Sequence, residues 1–454
     1  MKIGFLNEET IRLAIKTASD NFGYHQKNEA LAILQKVVTD PHGMVSDVIW
    51  GNLARTILRQ PEPDKTKWIF RKDPVDFRIF GREGIDDEAL RQMSTAMKLP
   101  VAVDGALMPD AHVGYGLPIG GVFATWNAVL PYGVGMDIGC RMCLSVFPAD
   151  PAIIDTDLNR LKKILVNETR FGRAVFQDVG DHELFERNEF REIPFLGSLK
   201  STFVEQMGTS GHGNHFVDIG VFELKEIHPQ LDIPAGNYLA VLSHSGSRNF
   251  GAEICRHYTR VAAGKLGLKG EAGRLAWLEL GWEEGMEYWK AMELAGAYSR
   301  ANHHFLHDRL AKALALQPLL TIENHHNFAW KEVTPDGNEL IIHRKGATPA
   351  KTGDVGIIPG TMASPAYIVA GKGNESALSS AAHGAGRLMS RTRAMAGIAQ
   401  EELLKYLSQK KIELIGGGPD EAPWVYKDIH RVMAAQKDLV EPIALFFPRI
   451  VRME

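Results

Sequence analysis

Asp137 and Cys140 in GVGMDIGC, His215 in GTSGHGNHF, His244 in SHSGSRNFG, His326 in ENHHNF and His383 in AAHGAGR lie in five separate segments, four of them glycine-marked. Only a fold that returns the chain repeatedly to one place can use side chains so far apart as one group. A histidine or cysteine buried for packing has no reason to recur beside glycines, which let backbone approach a ligand closely. Taken singly, each of these histidines reads as a satisfied core residue. Together, the five segments read as loops converging on one polar site.

The rest of the chain has to supply a scaffold for those loops. Glycine-punctuated runs with strand character (GVFATWNAVL, NYLAVLSHSG, PLLTIENHHN, NELIIHRKG, PAYIVAGKG) alternate irregularly with helical stretches. No fixed repeat period is visible, which excludes propellers and solenoids. The irregular order predicts an α+β fold rather than a doubly wound sheet. Ile11, Ala14, Ile15 and Ala18 recur at helical spacing, as do Leu31, Leu34 and Val38, with a break at TDPHG. A third helical stretch, Val45–Leu58, precedes the linker PEPDK. The expected organisation is a helical segment over 1–62 and one large domain over 63–454, with irregular mixed sheets around a metal site.

Composition narrows the setting. With 45% hydrophobic and 23% charged residues over 454 positions, the chain can bury a sizeable core. No apolar run approaches the ~20 residues that span a bilayer, and MKIGFLNEETIRL is too polar for a signal peptide. Three cysteines (Cys140, Cys143, Cys255) make no disulfide framework, so a reducing, cytoplasmic location is the plain reading. A net charge of −4 argues against global capture of nucleic acid but leaves room for a local basic groove.

Asp137 and Cys140 lie three apart, so one turn can aim both at one ion. Carboxylate, thiolate and imidazole together suit a borderline divalent metal. Asp137, Cys140, His215, His244 and His326 are one ligand more than a closed tetrahedral site needs. With a thiolate able to bridge, the set suggests two ions, which clamp an in-line phosphoryl displacement from both sides. His383 stands apart in SSAAHGAGRLMSRTR, where small residues admit a bulky group close to the imidazole. It is the candidate covalent nucleophile, and Arg387, Arg391 and Arg393 follow as phosphate-facing candidates.

The segments MPDAHVGYGLPIGG, GVGMDIGC, GNHF, SHSGSR, HHN, HRKGAT, IPGTM and HGAGR resemble, in order, the successive signature segments of the RtcB family of RNA ligases. The resemblance runs from about residue 80 to the C-terminus. It implies a GTP- and manganese-dependent ligase that joins RNA ending in a 3′-phosphate or 2′,3′-cyclic phosphate to RNA bearing a 5′-hydroxyl. By the same resemblance, Asp137, Cys140 and His215 hold one Mn2+, while Cys140, His244 and His326 hold the other. His383 carries GMP, which passes to the RNA 3′ end before the 5′-hydroxyl displaces it. An archease-type activator is an implied partner.

Asn214, His215, Asp218, His326, Asn327, Pro359, Gly360, Thr361, Met362, Ala366, His383, Gly384, Ala385 and Gly386 match family positions around the guanylate. Thr361 replaces a serine and keeps the hydroxyl. Asp218 stands where the family usually has Glu, and Ala366 replaces a serine outright. The family usually ends in a guanine-contacting Lys followed by Gly, whereas this chain ends IVRME. Arg452 is the nearest cation, and Met453 takes the lysine's place. These departures put guanine selectivity in doubt.

Other features carry plainer readings. Cys140-Arg-Met-Cys143 matches CxxC without a second half-site, so Cys143 is expected in the core of a strand and Cys255 buried in a helix. HHFLH (His303, His304, His307) is expected on a solvated helix face, because it lacks the HExxH pattern of zinc proteases. Asp110 and His112 read equally well as structural residues or as neighbours of the metals. GYGLPIGG and VAGKGNES lack the GK[ST] of a Walker phosphate loop. Two rival functions survive: a metal-dependent phosphoesterase or nucleotidyltransferase with another nucleotide or polymer, and a non-catalytic RNA-binding homologue.

Overall fold

A computed structural model describes residues 8–58, 70–334 and 337–454. The first seven residues, the linker PEPDK and the 62/63 boundary lie outside the described residues. The fold is mixed α and β, and two larger sheets dominate it. The strands are β1 (Arg78–Ile79), β2 (Ala102–His112), β3 (Ile119–Thr125), β4 (Ala128–Val129), β5 (Arg141–Phe147), β6 (Phe216–Leu224), β7 (Gly236–Ser245), β8 (Leu278–Glu279) and β9 (Leu320–His325). Then follow β10 (Asn327–Val333), β11 (Glu339–Lys345), β12 (Ala347–Pro349), β13 (Val355–Ile358), β14 (Ala366–Gly371), β15 (Ser380–Ala382), β16 (Glu413–Ile415) and β17 (Val440–Arg452). One sheet runs β1-β2-β3-β11-β10 and the other β13-β14-β17-β6-β7-β5-β9, with β16 added alongside β17. All five glycine-punctuated runs contain strands.

Strand β5 is buried at every position, as a strand covered on both faces must be. Met142, Leu144 and Val146 point into a cluster with Phe222, Leu242, Ile368 and Phe446. The alternate residues face the long helix Glu283–Leu314, where Phe147 joins Leu306, Leu310 and Leu314. Each large apolar side chain removed from water this way contributes about 1.5–3 kcal/mol. A third cluster (Met108, Val122, Ile342, Ile358, Val369, Ala382) links the two sheets.

The first two helices, Glu8–Asn21 and Lys27–Thr39, fall where the periodicity predicts, but the buried face of the second is Ala30, Leu34 and Val37. The third stretch is helical only over Gly51–Leu58. These helices share their own apolar cluster around Trp50 and Leu53. Among the described residues, no helix is long and apolar enough to cross a membrane.

The HHFLH expectation is wrong for two of its three histidines. His303 is 0% and His307 6% exposed, because they lie on the face of the long helix that packs on β5 and β7. Only His304 turns outward, toward Glu323. Ser145 and Ser243 on the sheet supply polar partners, so imidazoles are accommodated at positions that pattern alone would assign to water.

Candidate metal and nucleotide site

Four neighbouring strands of the larger sheet, β6-β7-β5-β9, bring the sequence-distant residues to one end. Met142 pairs with His244, Arg141 with both Ser245 and His325, and Phe216 with His244. His215 therefore just precedes β6, His244 lies near the end of β7, and His326 immediately follows β9. The Asp137–Cys140 turn is tied to the same corner: Gly139 N–H donates to the Asn327 carbonyl and His326 N–H to the Cys140 carbonyl. The glycines make room for this convergence. A Cβ on Gly246 would sit 1.9 Å from Asp137 Oδ1, and one on Gly211, at φ +84°, would overlap the Arg248 guanidinium.

The five side chains meet. His215 Nε2 is 2.9 Å from Asp137 Oδ2 and 3.5 Å from Cys140 Sγ. Cys140 Sγ is 3.1 Å from His244 Nε2, which is 3.2 Å from His326 Nε2. Two far nitrogens are held from outside, His215 Nδ1 by the Ser210 carbonyl and His244 Nδ1 by the Asn214 carbonyl. The Asn214 carbonyl requires N–H at His244 Nδ1, so the His244 Nε2 lone pair points inward. His326 Nδ1 is buried without a partner.

Burial disfavours charge here, but not uniformly. It pushes His244 down to about 3 and His326 well below the usual histidine range, keeping both rings neutral. Burial would raise Asp137, yet His215 and Arg248 outweigh it and hold the carboxyl ionised. Burial and the Asp137 charge push the Cys140 thiol well up. A thiolate at this spot needs a cation beside it. Inward lone pairs, an ionised carboxylate and a thiol awaiting a counter-ion fit a divalent metal.

His383 follows β15, and its Nδ1 lies 2.6 Å from Asp110 Oδ2 on β2. The same oxygen accepts from the backbone N–H of His383 and Gly384. An ionised carboxylate only accepts, so the proton sits on Nδ1 and Nε2 keeps its lone pair. The His383 and His326 ring centroids are 4.9 Å apart, so this histidine borders the ligand cluster. Asp110 thereby moves from an open reading to a positioning role. Asp110→Ala is expected to lower the rate of any reaction at His383 by about 100-fold, the scale of a misplaced reacting group. Single-turnover kinetics beside unchanged metal content would check it.

A cavity of about 300 Å3 opens beside this histidine. Asn214, Asp218, His244, Pro359, Gly360, Thr361, Met362, Ala366, His383, Gly384, Ala385 and Gly386 all line it. His215, His326 and Asn327 do not line it, although His326 lies against His244. Asn327 is scaffold, its Oδ1 accepting from Gly346 N–H. Arg452 is a correction: its guanidinium lies over the Phe171 ring, centroid 5.4 Å away, while Met453 lines the cavity. Adjacent residues of β17 and its end point to opposite sides, so the cation and the cavity wall cannot coincide.

The arginines also differ from expectation. Arg387 and Arg391 line the cavity but are paired with Glu421 and, for Arg391, Asp420, while Arg393 is exposed. Glu421, Tyr426, Phe446 and Pro448 complete the wall, and no short motif announces them. His112 lines it as well, two residues from Asp110. Arg248, 3.1 Å from His215 Nδ1, lay within SHSGSR and carried a signal through its motif alone.

A cluster of metal ligands, an oriented neutral histidine and an adjoining cavity together suit metal-assisted phosphoryl or nucleotidyl transfer. A family model described as tRNA-splicing ligase RtcB matches residues 92–198 and 195–454. The RNA-splicing ligase RtcB1 of Escherichia coli (strain ATCC 25922) is 30% identical over 389 residues, covering 79% of this chain and 92% of the relative. RNA-splicing ligase RtcB of Mycobacterium tuberculosis is 32% identical over 411 residues, 75% of this chain and 94% of its own. The tRNA-splicing ligase RtcB of Nanoarchaeum equitans is 29% identical over 456 residues, 83% and 95% respectively. This chain belongs to the RtcB family, and its class is RNA ligase.

Proposed function

We propose that the protein is a GTP- and Mn2+-dependent ligase that joins RNA 3′-phosphate or 2′,3′-cyclic phosphate ends to 5′-hydroxyl ends. The observation that supports it best is His383, held by Asp110 on the wall of a nucleotide-sized cavity that His244 of the five-residue cluster also lines. Asp137, Cys140 and His215 would hold one ion, and Cys140, His244 and His326 the other. Bound divalent metal would supply charge neutralisation for phosphate oxygens.

The chain's own groups then have defined tasks. His383 Nε2 forms a bond to the α-phosphorus of GTP as the bond to pyrophosphate breaks. The ring gains positive character, and Asp110, accepting at Nδ1, balances it. The small residues Gly384, Ala385 and Gly386 leave space at the cavity wall for the transferred group. Water first opens a 2′,3′-cyclic end to the 3′-phosphate and a free 2′-hydroxyl. Guanylate then passes from His383 to a 3′-phosphate oxygen, and the 5′-hydroxyl, losing its proton, displaces GMP to close the phosphodiester. Incubation with Mn2+, each α-labelled nucleotide and RNA bearing a cyclic phosphate and a 5′-hydroxyl tests the reading. An acid-labile guanylate adduct and joined RNA are expected. Joined RNA without any protein adduct would overturn it.

One observation favours a looser nucleotide preference. Asp218 reaches the cavity with Oδ1 buried and unpaired, and burial pushes its carboxyl well up toward the neutral form. A neutral carboxyl pairs with a donor–acceptor edge of either purine, whereas a carboxylate favours the two N–H donors of guanine. Met453 adds no donor, Ala366 no hydroxyl, and the Thr361 and Ser364 hydroxyls pair with each other at 2.8 Å. Weak discrimination between GTP and ATP is the expected outcome in adduct assays. Met453→Lys should shift the preference toward GTP by roughly tenfold, the worth of one charged hydrogen bond at ~1.4 kcal/mol. Strict guanine selectivity in the unmodified chain would contradict this account of the pocket.

A further inference from the structure

Cys143 on β5, with His303 and His307 one turn apart on the long helix, forms a second cluster that the ligase reaction does not use. It lies on the face of the larger sheet opposite the cavity: Leu242 and His244 face the cavity, so Ser243 between them faces the helix. All three residues are buried, and their ligand atoms lie within 4.8 Å of one another. His303 Nδ1 and His307 Nε2 are each 2.7 Å from Ser243 Oγ, so two ring nitrogens converge on one point. Both remote nitrogens are held from outside. His303 Nε2 meets the Ser245 carbonyl at 3.2 Å, and His307 Nδ1 meets Ser145 Oγ at 2.8 Å. Outer partners of that kind orient imidazoles for metal.

Proton bookkeeping at this cluster allows two states. Ser243 has one hydroxyl hydrogen and satisfies only one of two inward lone pairs. The metal-free chain closes when Ser145 donates to His307 Nδ1, His307 Nε2–H donates to Ser243, and Ser243 donates to His303 Nδ1. Moving the His307 proton to Nδ1, with the Ser145 hydroxyl turned to accept it, leaves both inward nitrogens free. The Cys143 thiol then gives up its proton to solvent when its sulfur binds the cation. Burial already holds both imidazoles neutral, the form that ligates.

We propose that Cys143, His303 and His307 form a metal site separate from the Cys140 cluster, taking one tetrahedral, zinc-class ion with Ser243 Oγ at the fourth position. A sulfur and two imidazole nitrogens match that class of ion better than Mg2+ or Ca2+, which prefer oxygen. Such an ion would staple the long helix to β5 and β7, beneath the strand that carries His244. It is a structural role and needs no step of the ligation reaction.

Zinc-edge anomalous scattering from crystals of the unmodified protein grown with Zn2+ is the direct test. A peak between Cys143, His303 and His307 is expected, whatever occupies the Cys140 cluster. Metal analysis of Cys140→Ala should still find about one zinc per chain, falling to about none in Cys140→Ala/Cys143→Ser. Cobalt substituted into Cys140→Ala should give a thiolate charge-transfer band that the double variant lacks. A map with zinc only at the Cys140 cluster overturns the proposal, even if the variants prove too unstable to purify. So does a folded Cys140→Ala chain that binds no zinc.

Discussion

Cys140→Ala is expected to abolish RNA joining and to strip divalent metal from the cluster of Asp137, His215, His244 and His326. The sulfur lies within 3.5 Å of two of the three histidine nitrogens, and no other thiol is near them. Removing it leaves inward lone pairs and the Asp137 carboxylate without the group that links them. Displaced outer-sphere partners alone typically cost 10–100-fold in affinity or activity, so loss of a direct ligand should exceed about 100-fold. Cys255→Ala is the matched control. Cys255 is equally buried, but it sits on the helix Arg248–Leu266, near the Pro131 carbonyl and Thr259. Its truncation should cost about 1 kcal/mol of stability and leave metal content and activity in place. Metal analysis and ligation assays on the two variants decide the matter. Normal activity in Cys140→Ala would remove the cluster from the chemistry.

Asp137, Cys140, His215 and His244 were legible as a group because each carried two signals at once, a coordinating side chain and neighbouring glycines, and His326 joined them through its HHN segment. Residues with one signal were harder. Asp110 sits in MPDAHVG with nothing local to show that its carboxylate crosses to His383; only the packing of β2 beside β15 makes that contact. Glu421 and Tyr426 reach the cavity from beyond residue 400, where the run Gly416–Gly418 was not read as a site segment, and they lie against arginines that sequence alone assigned to phosphate. His303 and His307 show the opposite failure. Their spacing was seen, but the exposed stripe of this helix, Lys290, Glu293, Arg300, His304, Asp308 and Lys312, was not traced through it, and His303 and His307 lie off that stripe. Arg452 and Met453 differ by one position, and at the end of a strand one position decides which side of the sheet a residue serves.

His383→Ala should separate nucleotide transfer from metal binding. The mutated side chain is not among the five clustered ligands, so divalent metal content is expected to match the unmodified protein. Among the described residues, one other histidine that lines the cavity and is not a clustered ligand could stand in for the covalent step. His112, which also lines the cavity, is pushed down to about 4 by burial, and its Nδ1 is taken up at the Asp110 carbonyl. Its remaining nitrogen stands apart from the carboxylate that balances charge on His383. The variant should therefore form no nucleotide adduct, and ligation from GTP should fall by ~10^4-fold or more, the scale seen when a covalent nucleophile is removed. RNA supplied with a preformed 3′-diphosphoguanosine end bypasses that step. The 5′-hydroxyl then needs only the metal cluster and the cavity to displace GMP, so His383→Ala should join this substrate measurably while Cys140→Ala should not. Adduct formation by His383→Ala at the normal rate would move the nucleophile elsewhere. Failure on the activated RNA with metal content intact would show that the ring also serves the final displacement.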